Sequence, residues 1–237
     1  NEVMNKTLIT FFTVLFCLTS SVGWSLEYKD LVKRDGIFYN KFSDVPFSGK
    51  TTGQLQGSFK NGMKDGSWIK YHKNGQLQYK GNYKNGKRES SWIDYWENGQ
   101  LQYKGNYKNG KREGSGVRYW YNGQLDYKGE YKNGNRDGSF ESHYENGQLW
   151  NKGDLKNGKE EGSWISYWKN GQLFSKGDFK DGKEEGSWVR YHDNGQLFSK
   201  GDYKNGKREG SWVKYFKDRT IVGLLTGTYK DGVKISD

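Results

Sequence analysis

The chain has 237 residues and a formal net charge of +11, with 34 glycines, 10 tryptophans, 18 tyrosines, 12 phenylalanines, one proline and no alanine. Without alanine, the best helix former, and with glycine this frequent, a mostly helical protein is excluded; the low aliphatic content excludes a thick two-sided core. The positive charge invites nucleic acid, anionic lipid or an acidic protein and selects none of them.

Met4 and Lys6 precede an apolar run over residues 8–18, followed by small and polar residues 19–23. This is the order of a positive region, an apolar region and a cleavage zone, and the run is too short for a spanning helix of about 20 residues. Residues 4–25 read as a secretory signal and residues 1–3 as upstream sequence. The expected location is exported: periplasmic, cell-surface or secreted, with retention if the signal stays uncleaved. The one cysteine, Cys17, lies inside the apolar run, so the chain beyond it holds no thiol for a disulfide or a metal.

Residues 26–65 read as an N-terminal cap, with a hairpin signal at Asp35-Gly36, the lone Pro46 and a partial repeat through Gly57, Phe59, Asn61 and Gly62. Residues 66–211 hold six units with a period of 24. Trp68, Trp92, Trp164, Trp188 and Trp212 keep this period, with Gly116 and Phe140 in the two remaining places. Gly81, Gly105, Gly129, Gly153, Gly177 and Gly201 recur in the same register. Periods of this length mark arrays in which each unit needs its neighbours to bury its apolar face.

Asn-Gly pairs recur at alternating intervals of 13 and 11 residues, with Asp181-Gly182 filling one gap. Asn-Gly between patterned runs predicts a type I′ hairpin turn, so the chain reverses about every twelve residues. Taking Asn98-Gly99 as a two-residue loop pairs Trp96 with Leu101, Asp94 with Tyr103 and Trp92 with Gly105. One face is then aromatic, each tryptophan filling the space opposite a glycine, and the other mixes a β-branched residue, a tyrosine and a lysine. Residues 212–237 read as a degenerate repeat and C-terminal cap, with Asp218-Arg219 in place of the turn motif.

The stretch YKGNYKNGKREG, from Tyr103 to Gly114, resembles the Tyr-x-Gly-x-aromatic-x-x-Gly-x-x-x-Gly core of MORN repeats, in the bacterial variant form. Departures are local: Trp150 and Leu155 replace aromatics in one unit, Phe174 and Phe198 shift the first aromatic, and Ser90 replaces a glycine. The resemblance implies an all-β, elongated array of antiparallel hairpins in a single twisted sheet, used for binding, with no shared catalytic residue. Members of the family are associated with membranes, lipid head groups and protein scaffolding, and some bacterial relatives with antitoxin-like or immunity-like roles.

Candidate chemistry is sparse. Gly81 to Lys87 has the spacing of a phosphate loop, as do equivalents in other units, but the following Ser or Thr is missing and the context is a hairpin. His72, His143 and His192 fall in different units without acid or cysteine company, so neither a metal nor a catalytic site is expected. Glu160-Glu161 and Glu184-Glu185 read as solvated loop charge. Lys80, Lys104 and Lys128 recur once per unit, and so do Lys84, Lys108 and Lys132; equivalent residues two strands apart are about 10 Å apart, forming rows. Residues 68–91 carry six basic groups and one acidic, and the excess reverses in the middle units. A nucleic-acid groove wants a sustained basic stripe, which disfavours that partner.

The expected function is therefore a non-catalytic, exported binding or scaffold module that engages a protein, antitoxin-like or immunity-like, without a cofactor. The alternative is an envelope-surface module that grips anionic lipid or glycan. Candidate binding residues are Lys80, Lys84, Lys104, Lys108, Lys128, Lys132, Tyr79, Tyr103, Tyr127, Trp96 and Trp120, with the periodic tryptophans and glycines structural.

Overall fold

The computed structural model describes residues 25–237, so residues 1–3 and the expected signal, but for Ser25, lie outside the described residues. Among these there is no α-helix, only the 3-10 turns Tyr28–Asp30 and Gly223–Leu225. One open sheet has 18 strands. From Gly49–Thr52 to Val233–Ser236 the strands pair antiparallel in chain order, and Ser25–Glu27 joins the first of them in parallel as the edge. The hairpin Leu31–Arg34 and Ile37–Asn40 stands apart, reversing at Asp35 and Gly36, whose φ values are 48° and 86°.

Each unit couples a strand such as Lys87–Tyr95 to one such as Leu101–Lys108 through alternating turns of two kinds. Asn109 and Gly110 are both left-handed, at φ 51° and 82°, and Lys108 faces Lys111, a two-residue type I′ turn. At Asn98-Gly99 only the glycine is left-handed. Gly99 N–H donates to Trp96 O at 2.9 Å and Trp96 N–H to Gln100 O at 2.8 Å, which closes a three-residue loop built on a type I turn. The expectation of one turn type is thus corrected, and with it the register: Tyr95, not Trp96, faces Leu101. An odd loop exchanges the faces of the following strand. Here a bulge at Gln102 restores them, so Asp94 still meets Tyr103 and Trp92 still meets Gly105.

Trp92 pairs with glycines on both sides, Gly81 and Gly105. Its ring covers Gly81 of the preceding strand: a Cβ there would lie 2.1 Å from the indole Cε3. Trp164 covers Gly153, Trp188 covers Gly177 and Trp212 covers Gly201 with clashes of 2.4, 2.2 and 2.3 Å for such a Cβ. Where Gly116 leaves the tryptophan place open, the Tyr103 ring folds over Gly105 instead, its hydroxyl 2.2 Å from a Cβ built there.

Consecutive units are bolted together at the type I′ turns. Gly110 N–H donates to Arg88 O at 2.8 Å, and Asn109 N–H donates to the Glu89 carboxylate at 2.8 Å. Glu161 and Glu185 accept in the same way from Asp181 and Asn205 at 3.0 and 2.8 Å, so the second acid of each Glu-Glu pair is a turn clamp and not free loop charge. At the N-terminal end the separate hairpin docks through Phe38 N–H to Gly62 O at 2.9 Å, and Leu31, Phe47, Leu55, Phe59 and Trp68 form a buried cluster. At the other end Arg219 takes the left-handed glycine place at φ 73°, and Gly227–Lys230 with Val233–Ser236 close the sheet.

Candidate functional site

Residues directly opposite one another on paired strands share a face, which separates the candidate residues into two surfaces and two rims. On the first face lie the glycine-covering rings and Tyr79, Tyr103 and Tyr127, of which Tyr103 and Tyr127 are buried. Burial raises the hydroxyl pKa of Tyr79 and Tyr103, so both stay neutral hydrogen-bonding groups at physiological pH.

The same face carries a row of cations that sequence reasoning missed. Lys64 Nζ stands 4.2 Å from the centre of the Trp68 ring, Arg88 Cζ 4.0 Å from Trp92 and Arg136 Cζ 4.1 Å from Phe140. Arg112 lies 4.7 Å from the Tyr103 ring, and its Nη1 donates to the hydroxyls of Tyr127 and Tyr131 at 3.3 and 3.2 Å. Burial, with help from the neighbouring cations Lys70, Arg88 and Lys33, lowers the Lys64 pKa from 10.5 to about 8. The signal was present in sequence as a basic residue four places ahead of Trp68, Trp92, Phe140 and Trp212, with Glu160 and Glu184 in that place ahead of Trp164 and Trp188. Its face became visible only once the bulge between Glu113 and Gly116, with its equivalents, was known.

Lys80, Lys104 and Lys128 lie on the opposite face, exposed, each between aliphatic or acidic neighbours. Lys104 faces Ile93 and Val117; Lys128 faces Val117 and Glu141, with its Nζ 3.0 Å from the Glu141 carboxylate. This face dips into an open groove of about 840 Å³ that runs from Ser91 to Ile165. The backbones of Gly105, Gly116 and Gly129 line it, with Lys104, Lys128 and Lys152 as its cations and Glu130, Glu141 and Asp154 as its anions. Ser115 Oγ donates to Glu130 at 2.6 Å, next to Val117. The groove can therefore accept a ligand with both signs of charge and hydrogen-bonding groups between them.

Lys84, Lys108 and Lys132 lie on one rim, at strand ends beside the type I′ turns, facing Lys87, Lys111 and Asn135. Trp96 and Trp120 lie near the other rim, where their Nε1 groups donate to the carbonyls of Tyr119 and His143 at 3.2 and 3.1 Å. His72 and His192 occupy the equivalent place and bond the carbonyls of Tyr95 and Tyr215 at 2.9 and 3.1 Å, and the Tyr144 hydroxyl does the same to Tyr167 at 3.0 Å. A carbonyl only accepts, so each histidine carries its proton on Nε2 here. The place calls for an aromatic ring with a donor, which explains why tryptophan, histidine and tyrosine alternate in it. The structure thus brings Lys104 and Lys128 together and sets them apart from the tyrosines, the rim lysines and the two tryptophans.

Among the described residues no group of three or more His, Cys, Asp and Glu side chains is placed to hold a metal ion. Residues 64–85, 88–109, 136–157, 160–181 and 184–205 match the family profile described as MORN repeat variant. Residues 56–67, 103–125, 127–139 and 200–218 match the one described as MORN repeat. No curated protein matches the chain. MORN repeats generally mediate binding to proteins or membrane phospholipids and are typically non-catalytic. With more than half of its length matched and a hairpin meander that keeps the repeat's period, the chain belongs to the MORN repeat family.

Proposed function

We propose that the chain is an exported, non-catalytic binding and scaffold module whose ligand is a protein, in an antitoxin-like or immunity-like role. The observation that carries the choice of ligand is the mixed charge of the groove, in which Lys128 and Lys152 are each followed two residues on by Glu130 and Asp154. A uniformly anionic bilayer meets repulsion from these carboxylates, whereas a protein surface of alternating charge complements them. Export is supported by the short apolar run behind Lys6.

A second reading, an envelope-surface module for anionic lipid or glycan, is favoured by the first units. There the lysine face carries Lys80 and Lys104 beside the neutral Asn82 and Asn106. Sedimentation with anionic and neutral vesicles over a salt series separates the two, run beside capture of partners from the producing cell with wild type and a Lys104→Glu, Lys128→Glu variant. The protein reading predicts no more than weak, salt-sensitive vesicle binding and a captured protein that the variant loses. Tight anionic-vesicle binding with no protein lost by the variant would replace it with the second reading.

A further inference from the structure

Cations cover the periodic rings along the aromatic face with one interruption. At Trp92, Phe140 and Trp212 the covering arginine stands four residues ahead, with Cζ 4.0, 4.1 and 4.8 Å from the ring centre. At Trp188 that place holds Glu184, and Arg190 covers the ring from two residues beyond it. The Arg190 Cζ lies 5.2 Å from Trp188 and 5.4 Å from Tyr203; Nη1 donates to the Tyr203 hydroxyl at 3.0 Å and Nη2 pairs with Glu184.

Trp164 repeats this frame without the guanidinium. Glu160 holds the place of Glu184, facing Leu155 across the pair, and Ser166 holds the place of Arg190, between Asn151 and Ser175. The Trp164 and Phe179 rings, 6.1 Å apart at 84°, match Trp188 and Tyr203, 6.2 Å apart at 86°. Among the described residues no cation covers Trp164 and no ion pair engages Glu160. Trp164 stays buried without a covering guanidinium, at 7% exposure against 5% for Trp188, so a guest reaches the ring by way of the half-buried Glu160, Ser166 and Phe179 around it. A carboxylate beside a π-face gains nothing alone, but a guanidinium beside both is attracted by both.

The structure assigns to this position a docking site for one arginine side chain of a bound protein. The guanidinium enters beside Ser166, pairs with Glu160 and lies along Trp164 and Phe179, as Arg190 does one unit on. Phe179 lacks the hydroxyl that Tyr203 offers Arg190, so the guest is held less firmly than the built-in one. The inference rests on the reading that the chain binds a protein, and it adds a contact on the aromatic face, across the sheet from the groove.

The test titrates the full chain with acetyl-arginine methylamide, and with the uncharged citrulline analogue, while NMR follows the Trp164 indole N–H. A saturable shift is expected with arginine and none with citrulline. Glu160→Gln weakens binding about tenfold by removing the charge-assisted bond. Ser166→Arg abolishes it by filling the place from within, as Arg190 does, and Glu160→Gln decides alone if that variant does not fold. An equal response to citrulline, or undiminished binding in Glu160→Gln, overturns the site. A partner captured equally by wild type and Ser166→Arg overturns this contact and leaves the protein reading standing. Arginine binding by a chain that captures no protein leaves a cation site but overturns both protein docking and the wider reading.

Discussion

Gly177→Ala probes the lock between ring and glycine that holds each pair of strands. A Cβ at Gly177 would lie 2.2, 2.3 and 2.6 Å from Cδ2, Cε2 and Cγ of Trp188, inside the van der Waals envelope of the indole. In an ordinary strand, alanine is favoured over glycine by about 0.5–1 kcal/mol. Here the ring, only 5% exposed, has to lift from the sheet, giving up its contacts as well as adding overpacking strain, so a net loss of about 3 kcal/mol is expected. Trp188→Ala alone costs about 3–5 kcal/mol. In the double variant the methyl meets no ring, so the combined cost falls short of the sum by about 2 kcal/mol. Urea unfolding followed by circular dichroism reads the total, and hydrogen exchange in Leu173–Lys180 and Lys183–Tyr191 reads the loss locally, because repeat arrays unfold in parts. Wild-type stability of Gly177→Ala, or strict additivity in the double variant, would mean that the Trp188 ring does not rest on this glycine.

Ser90 sits at φ 58° where the other units have a left-handed glycine, so Ser90→Gly stabilises by about 0.5–1 kcal/mol after glycine's extra unfolded-state entropy, measured by the same unfolding curves. Trp96→Phe keeps the ring but loses the donor to Tyr119 O, costing about 1 kcal/mol and raising exchange at the adjoining turn. Glu185→Ala strands the Asn205 N–H on the exposed turn side and costs about 0.5–1 kcal/mol, whereas a freely solvated acid would cost nothing. Lys64 has a folded pKa of about 8, below its ordinary 10.5, so the unfolded chain binds more protons between these values. Stability of the N-terminal cap therefore rises as pH increases from about 8 to 10.5, with no contribution below that window. Lys64→Met removes this slope, and an unchanged slope in the variant contradicts the assignment.

The hairpin array was legible because its period fixes glycine, ring and turn together, and any one of them predicts the others. The choice of glycine was not legible. Trp92 faces both Gly81 and Gly105, and only the direction in which the ring leans makes the first its floor. Nor was the turn type, since Asn-Gly serves both a two-residue type I′ turn at Asn109 and a three-residue loop at Asn98. That difference moved Leu101 from Trp96 to Tyr95, while the bulge at Gln102 hid the error from the rest of the register. The arginine row was not legible because Arg88 and Arg112 directly follow turns, and the face they take is set by strands that start at Lys87 and Lys111 and bulge before Trp92 and Gly116. The lysine rows were visible, yet the groove that gathers Lys104, Lys128 and Lys152 comes from the shape of the sheet, which residue spacing does not encode.

A protein ligand in the groove, as proposed, is open to a direct test. A photo-activated cross-linking residue is placed at Val117, inside the groove, in the producing cell, with the same probe at the exposed cap residue Phe42 as the reference. The expected result is a discrete protein adduct at position 117 that is absent at position 42 and lost when Lys104 and Lys128 are reversed in charge. Lipid adducts alone at position 117, or the same adducts at both positions, would contradict it.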